Sequence, residues 1–338
     1  QTPAKQSKVE TVVGVDNIAY NIQGKVCLKN SKQRRRTGFL EEYRLDGAYL
    51  LKPDRAKGRP GIYEGISSDE TPVLIKTWPR ADAGSDSDLF DIWRHELRQL
   101  LRLAGYPGSS DFIAKLDKAG SDAKGFYLVL DPGQRRPLHT VLERAVAGSW
   151  IRTPRLAQNR IRIWRNLERT AAGLETLHAQ GLLHRNLDDW AILTAGGEEA
   201  DFQLTGFEWS MRIVGIETFG KGRQRNIGPH KEDSFGRDWF MFGLLAARLL
   251  HVNEERLFDI KVPSHDVADH LGASEARLLR QLVQVERLAR LDGDVVLGKI
   301  SDVIQLLSAE VASRDPKLHV VLRLGPGAAL SEAIRLAS

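Results

Sequence analysis

The chain has 338 residues, of which 42% are hydrophobic, and this length allows one large core or two smaller ones. Its single cysteine, Cys27, excludes an internal disulfide framework and a cysteine-based zinc site, which favours a reducing, cytoplasmic location. The sequence contains no apolar run long enough to cross a bilayer, so no membrane association is predicted. Because the chain starts with Gln1 rather than methionine, we expect it to be a piece of a longer protein.

The net charge of +5 is unevenly distributed, with a basic run near the N-terminus that no acidic residue interrupts. Such runs can hold the phosphate backbone of a nucleic acid. The alternative is a solvated surface segment, which is favoured because no aromatic residues stand between the charges to stack on bases. The run comprises Lys25, Lys29, Lys32, Arg34, Arg35 and Arg36.

The first part of the chain has the pattern of short strands. Apolar stretches broken by glycines predict a strand-rich extension over residues 1–46, and several more strands are predicted over 43–77. A helix is predicted over 89–101 from apolar residues at helical spacing, with side chains of 85–88 as its caps. The apolar run 126–130 predicts a buried strand, and the Asp-Pro-Gly sequence after it predicts a turn.

Helical patterns dominate the second part of the chain, from which we expect a mainly helical structure. The predicted elements are a helix over 156–179, a hairpin of strands 191–193 and 202–204, a helix over 239–250, further helices to about residue 309, and a strand-turn-helix appendage over 311–338.

The segment His184–Leu193, which follows a predicted helix, resembles the catalytic loop of protein kinases. Val73–Lys76 resembles the strand that carries the phosphate-pairing lysine of that family, and Glu96 lies where the family has the glutamate that orients this lysine. The strand 128–131 resembles the hinge that receives adenine. Further counterparts are Thr205-Gly206-Phe207-Glu208 for the Asp-Phe-Gly motif, Gly228-Pro229-His230 for the Ala-Pro-Glu motif, Asp238 and Gly243 of the central helix, and Arg290.

This resemblance implies an α+β, bilobal protein-kinase-like fold, with a small strand-rich N-lobe and a larger, mainly helical C-lobe. It implies an N-lobe over 47–131 and a C-lobe over 132–310, between the basic extension at 1–46 and the appendage at 311–338. The structural positions of the family are retained. They are His184 and Phe207, which the resemblance places in the core, and Asp238 and Gly243, which it assigns to holding the catalytic-loop backbone and the central helix.

The positions that carry chemistry in the family are replaced. The catalytic aspartate corresponds to Asn186, whose amide cannot accept a proton at neutral pH. The two metal-binding residues correspond to Ala191 and Gly206, which have no ligand atoms. The catalytic-loop lysine becomes Asp188, and Glu208 is a further departure. No catalytic residue and no metal site are therefore predicted.

The glycines at 58, 61 and 65 do not follow the family's glycine-rich spacing, and we expect them to form a hairpin turn rather than a phosphate cradle. The acidic residues Asp188, Asp189, Asp201 and Glu208 lie near the degenerate motifs, and the default expectation for such loop acids is a solvated position.

The leading interpretation is a non-enzymatic pseudokinase that binds a protein partner or a neighbouring domain and requires no cofactor. Lys76, Glu96, Leu130 and Asp131 form its candidate nucleotide site, which could take ATP without metal. In the simpler interpretation, Lys76 and Glu96 form an ion pair that only fixes a helix to a sheet. Two alternatives stay open: an atypical ATP-dependent transferase with Glu208 or Asp188 as metal ligand, and an accessory domain that contacts nucleic acid through the basic run.

Overall fold

The computed structural model describes residues 38–80, 86–212, 234–259, 261–263, 267–283 and 292–314, together with the backbone of short strands at 11–13, 19–21 and 26–27. These residues form a mixed α+β structure, as predicted. The chain divides into two compact units. The strand-rich unit comprises residues 1–141, 184–195 and 203–212, and the helical unit comprises residues 142–183, 196–202 and 213–338.

Two of the antiparallel sheets of the strand-rich unit are built from strands that come before and after its first long helix in the chain. The smaller sheet consists of β1 (Thr11–Val13), β2 (Ala19–Asn21) and β3 (Val26–Cys27) in that order. The larger sheet consists of β4 (Arg44–Leu45), β5 (Gly61–Ile66), β6 (Pro72–Pro79), β7 (Lys115–Ser121) and β8 (Gly125–Asp131). Its strand order is β4-β5-β6-β8-β7, so β6 is the central strand.

The sequence of β6 explains its central place. Residues 73–78 of this strand are buried without alternation, which is typical of a strand covered on both faces. Lys76 is paired with Ile62 of β5 on one side and with Leu128 of β8 on the other. The backbone of Lys76 is therefore fixed in the middle of the sheet.

Helix α1 (Ser87–Leu103) packs on this sheet through the apolar stripe that the sequence predicts. The indole of Trp93 donates a hydrogen bond to the carbonyl of Tyr127, with 2.9 Å between the nitrogen and the oxygen. The capping prediction was wrong: Asp86 precedes the helix but its side chain makes no capping hydrogen bond. Its carboxylate instead pairs with Arg55 and Arg80, at 3.1 and 3.4 Å.

A second small sheet completes the strand-rich unit. Its strands are β9 (Arg136–Pro137), β11 (Ile192–Thr194) and β12 (Gln203–Leu204), in the order β12-β11-β9. The predicted hairpin of β11 and β12 is confirmed. The pairing of β9 with β11 was not predicted, because a two-residue strand that contains proline has no apolar pattern of its own. In the chain, helix α2 (Leu138–Arg144) directly follows β9, and the short strand β13 (Met211–Arg212) comes after β12.

The glycines at 58, 61 and 65 do not form one hairpin turn. Gly58 does end a 3-10 turn, at a φ of +61°, but Gly61 and Gly65 lie within β5, so the turn prediction was wrong for these two. Gly61 faces the ring of Tyr49, which a Cβ atom would approach to 2.4 Å. Close packing, not a turn, accounts for the glycine at position 61.

The helical unit confirms the predicted helices to within a few residues. None of its described helices, nor those of the strand-rich unit, combines the length and apolar character that crossing a bilayer requires. The first four residues of the predicted appendage at 311–338 continue the last helix instead, and its remaining residues lie outside the described residues. The elements are α3 (Ala157–His178), β10 (Leu182–Leu183), α4 (Phe235–Leu249), α5 (Glu254–Phe258), α6 (Ala273–Val283) and α7 (Gly293–Arg314).

A buried carboxylate joins α3 to α6 inside the helical unit. Glu275 accepts hydrogen bonds from Arg160 Nε at 3.1 Å and from the Trp164 indole at 2.9 Å. It also accepts the backbone N–H of Gly272 at 2.8 Å. Glu275 and Arg160 are 1% and 4% exposed, so their charges are compensated by each other and by buried hydrogen bonds rather than by water.

Two residues of the predicted central helix have structural contacts in α4. The Asp238 carboxylate contacts His178 Nε2 of α3 at 3.0 Å. Gly243 lies so close to α6 that a Cβ atom would be 2.7 Å from the Cβ of Leu282. Only glycine therefore fits at position 243 without moving one helix.

Candidate functional site

The centre of the strand-rich unit contains a buried contact between a lysine and a glutamate. Lys76 Nζ of β6 lies 2.6 Å from Glu96 Oε1 of α1, and the two residues are 3% and 0% exposed. The expected pairing of these residues is confirmed. Burial of α1 on the sheet brings them together, since Trp93 and Leu97 on the same helix face are also buried.

A second carboxylate reaches the same ammonium. Glu208 Oε2 lies 3.2 Å from Lys76 Nζ, and Asn186 Nδ2 donates to Glu208 Oε1 at 3.3 Å. Glu208 is 5% exposed. The default expectation of a solvated loop acid was therefore wrong for Glu208. We call Lys76, Glu96, Glu208 and Asn186 the Lys76 cluster.

The position of Glu208 is set by a short 3-10 turn at Phe207–Trp209. Gly206 begins this turn with a φ of +81°, a conformation that favours glycine. The hydroxyl of Ser210 donates to the carbonyl of Phe207 at 2.8 Å and contacts His95 Nε2 of α1 at 2.9 Å. Burial lowers the pKa of His95. A neutral His95 thus donates to Ser210 and holds the turn against α1.

The Lys76 cluster contains two carboxyl groups and one ammonium in a buried space. Burial opposes the charge on Lys76, but the nearby Glu208 and Glu96 outweigh this effect and raise its pKa. Burial raises the pKa of Glu96 to about 8, and the charge of Glu208 adds to the rise. Lys76 and hydrogen bonds outweigh burial at Glu208 and lower its pKa. Of the two carboxyl groups, Glu96 is therefore the one whose charged form burial disfavours, and Glu208 is the one whose charged form its neighbours favour.

One atom of Glu96 agrees with this assignment. Among the described residues, Glu96 Oε2 is buried and has no hydrogen-bond partner. Leaving a charged oxygen buried without a partner costs several kcal/mol, whereas a protonated carboxyl costs about 1–3 kcal/mol. Glu208 has donors for both of its oxygens, so it is the better place for the negative charge.

At the positions that the kinase resemblance assigns to metal ligands, the residues have no side-chain oxygen with which to bind a magnesium ion. Ala191 is 2% exposed and offers no oxygen, and a Cβ atom at Gly206 would lie 3.1 Å from the Cβ of Ala191. An aspartate at 206 would therefore crowd Ala191 and strain the backbone. Within the part of the chain that the structure describes, no group of three or more His, Cys, Asp or Glu side chains that could hold a metal ion is found.

The two neighbouring acids in the segment that resembles the catalytic loop, Asp188 and Asp189, have local structural partners. Asp188 Oδ1 accepts the backbone N–H groups of Trp190 and Ala191 at 2.9 and 3.0 Å. Burial, together with the charge of Asp189, raises the pKa of Asp188 to about 6. Asp189 is buried, so the expectation of a solvated position was wrong for this residue too, and its Oδ2 contacts His139 Nδ1 at 3.1 Å. Both carboxylates stabilise the loop and β11 behind it. Asp201, the remaining acid of the predicted set, is half-buried in the helical unit and donates its backbone N–H to Asn166 Oδ1 at 2.9 Å.

His184 connects this loop to the turn that carries Glu208. Its Nε2 contacts the carbonyl of Thr205 at 2.9 Å, and its Nδ1 accepts the N–H of Asn186 at 3.3 Å. The ring of Phe207 meets the imidazole edge-on with 5.4 Å between centroids. His184 and Phe207 are both 0% exposed, which places them in the core of the unit.

The candidate hinge residues lie at the end of β8. Leu130 is fully buried and paired with Leu74, so its side chain belongs to the core. Asp131 Oδ2 lies 2.8 Å from Lys115 Nζ, and its Oδ1 accepts the N–H of Gly133 at 3.1 Å. The hydrogen bond from Lys115 lowers the pKa of Asp131. The side chain of Asp131 is thus committed to β7 and the following turn.

Several predicted residues fall outside the described residues, and two lie in the helical unit. Asp238 and Gly243 have the helix contacts given above. The basic run, with Lys32, Arg34, Arg35 and Arg36, the tripeptide Gly228-Pro229-His230, and Arg290 lie outside the described residues.

No protein-family model matches the chain, and no curated protein is significantly similar to it.

Sequence reasoning missed the links that join Glu208 to Lys76 and Asn186. The available signal was an acidic residue directly after a Gly-Phe pair, shortly after the apolar residues Phe202 and Leu204. An isolated glutamate in such a stretch has to find a cation, and Lys76 ends the apolar run of β6. Sequence alone does not show which cation it reaches.

Proposed function

We propose that the chain is a kinase-like domain of bilobal architecture that has lost phosphoryl transfer and acts as a regulatory or scaffolding module for a protein partner. The supporting relationship is the pairing of Lys76 with Glu96. In protein kinases, the lysine lies on the third strand of the sheet and pairs with a glutamate of the helix that follows. Lys76 lies on β6, the third strand of the larger sheet in chain order, and Glu96 lies on α1.

The single observation that carries the loss of catalysis is the contact of Glu208 with Lys76 at 3.2 Å. A lysine that neutralises phosphate must have its charge available, and here Glu208 supplies a carboxylate to that charge inside the protein. Asn186, in the place of the catalytic base, donates to Glu208 rather than accepting a proton. The atypical transferase is less well supported, because Glu208 and Asp188 are both engaged in contacts within the unit.

An interaction role is supported by the outer face of α1, opposite Glu96. Arg94, Arg98 and Leu101 are exposed on the helix, and Tyr106 is 40% exposed just beyond it. Neither arginine forms an ion pair with any residue in the described ranges. Arginine and tyrosine are enriched at the centres of protein interfaces. A partner on this face would act on the helix that carries Glu96.

The test is a phosphoryl-transfer assay with labelled ATP, magnesium or manganese, and general acceptor proteins. We expect no label on the acceptors or on the chain itself. Label transfer that disappears in Lys76→Ala would overturn the proposal and favour the atypical transferase. A nucleic-acid role through Lys25–Arg36 stays a prediction, and binding that weakens steeply with salt is its test.

A further inference from the structure

Glu208 lies in a small polar space, where two side chains donate hydrogen bonds to its carboxylate. Lys76 Nζ faces one of its carboxylate oxygens and Asn186 Nδ2 faces the other, at 3.2 and 3.3 Å. Two donors aimed at the two oxygens of one carboxylate form a bidentate arrangement, which is also how proteins hold external oxyanions. The protein's own side chain has the position of a ligand here.

The donors and the anion come from separate segments of the chain. Lys76 is fixed in the middle of the larger sheet, and Asn186 is fixed by the hydrogen bond of its N–H to His184 Nδ1. Glu208 enters the space from a turn of three residues. Removing the Glu208 side chain therefore takes away the anion and leaves both donors in place.

Glu96 is already engaged in its own contact with Lys76. Its Oε1 already lies 2.6 Å from Lys76 Nζ, and α1 is held to the sheet by the buried side chains around Trp93. Glu96 also approaches from the helix, whereas Asn186 lies on the loop that contacts the turn. Without Glu208, Asn186 Nδ2 and Lys76 Nζ lose the carboxylate oxygens that they contact in the structure.

We propose that Lys76 and Asn186 form an oxyanion-binding site that Glu208 fills as an internal ligand, so that residue 208 decides whether an external carboxylate or phosphate binds. The inference rests on the proposed function, because a Lys76 ammonium held by Glu208 is withheld from phosphoryl transfer. The ligand class is a small oxyanion with two oxygens that face the two donors.

The test is chemical rescue of Glu208→Ala with acetate, which matches the deleted CH2–COO⁻ group. We expect the Tm of this variant to rise with acetate concentration beyond the effect of sodium chloride at the same ionic strength. At about ten times the dissociation constant, linkage predicts a rise of roughly 2–4 °C. Inorganic phosphate and ATP without magnesium, tested separately, show whether the site prefers carboxylate or phosphate.

Glu208→Gln is the matched control, because its amide fills the same space without a charge. We expect no rise beyond that of chloride in this variant, in the wild type, or in Lys76→Met/Glu208→Ala. An equal response of Glu208→Ala to acetate and chloride would overturn the proposal, as would an acetate response of Glu208→Gln that equals that of Glu208→Ala.

Glu208→Gly with propionate provides a second pair of variant and anion. If either variant folds poorly, the refolding yield in the matching anion and in chloride becomes the readout, and equal yields count against the site. Failure of the two proposals can be told apart in the same preparations. Label transfer by the wild type contradicts the proposed function, whereas an inert wild type with no rescue of Glu208→Ala contradicts only the inference about Glu208.

Discussion

Glu208 Oε2 lies 3.2 Å from Lys76 Nζ, although 132 residues separate the two in the chain. The contact is buried, so neither water nor salt screens it well. It places Lys76, which lies in the middle of β6, at the centre of a cluster with one excess carboxyl group. The stability of the strand-rich unit and its response to pH both depend on this arrangement.

Lys76→Met should destabilise the strand-rich unit by about 3–5 kcal/mol, because it leaves two buried carboxyl groups without a cation. The measurement is urea unfolding followed by hydrogen exchange of the amides of β6. Lys115→Met is the matched control, since Lys115 pairs with Asp131 at an exposed site and its loss should cost less than about 1 kcal/mol. Equal effects of the two substitutions would contradict a central role for Lys76.

The free energy of unfolding should fall as the pH rises toward 8. The pKa of Glu96 is raised from 4.5 to about 8 in the folded protein, so the folded state holds a proton that the unfolded state has released. The stabilising contribution of this proton is complete below pH 4.5 and is lost as the pH rises through 8. For one proton, the slope is about −1.4 kcal/mol per pH unit within this window.

Glu96→Gln should remove that slope, because its amide cannot titrate. The comparison is cleanest between pH 6.5 and 8, since the pKa of Asp188 is also raised, to about 6, and adds its own slope at lower pH. Unfolding curves at half-unit intervals of pH measure the difference. A wild-type slope that matches that of Glu96→Gln in this range would show that Glu96 is ionised.

Asn186→Asp should not create activity, although it restores the residue type that the kinase resemblance assigns to the base. The new carboxylate would lie about where the amide nitrogen now contacts Glu208 Oε1 at 3.3 Å, and two carboxylates would repel each other. We expect a loss of about 1–3 kcal/mol in unfolding free energy, as for a buried hydrogen bond that is broken. Asn186→Ala, which adds no charge, should lose less.

Gly243→Ala and Gly298→Ala should have opposite effects on the helical unit. At Gly243 in α4, a Cβ atom would lie 2.7 Å from the Cβ of Leu282, so the helices must separate and stability should fall by at least 1–3 kcal/mol. At Gly298 in α7, a Cβ atom meets nothing within 4 Å, and alanine should add up to about 1 kcal/mol. Thermal unfolding of both variants measures the sign of each change.

Local pattern was enough to predict most elements, and the kinase resemblance predicted one contact of the candidate site. The buried run of β6 and the helical stripe of α1 predict the two elements, whereas the pairing of Lys76 with Glu96 is what the resemblance implies. The hairpin of β11 and β12 was similarly visible as two apolar runs around glycines. These features depend on residues close in the sequence, where periodicity carries the information.

The remaining contacts could not be predicted, because they join distant segments without a repeating pattern. Glu208 reads as a solvated acid in a loop, and only the tertiary structure brings it to Lys76. Asp86 reads as a helix cap, but Arg55 and Arg80 compete successfully for its carboxylate. The sequence predicts a turn at Gly61, whereas in the structure the ring of Tyr49 leaves no space for a side chain at this position.

The carboxylate of Glu275 has a consequence for biosynthesis. Arg160 and Trp164 emerge from the ribosome more than 100 residues before Glu275, their shared acceptor. Until then, a guanidinium and an indole N–H meant for the interior of the helical unit have to stay hydrated, and the apolar face of α3 stays uncovered with them. Truncated chains that stop short of α6 should consequently aggregate or recruit chaperones, however well the strand-rich unit has already folded.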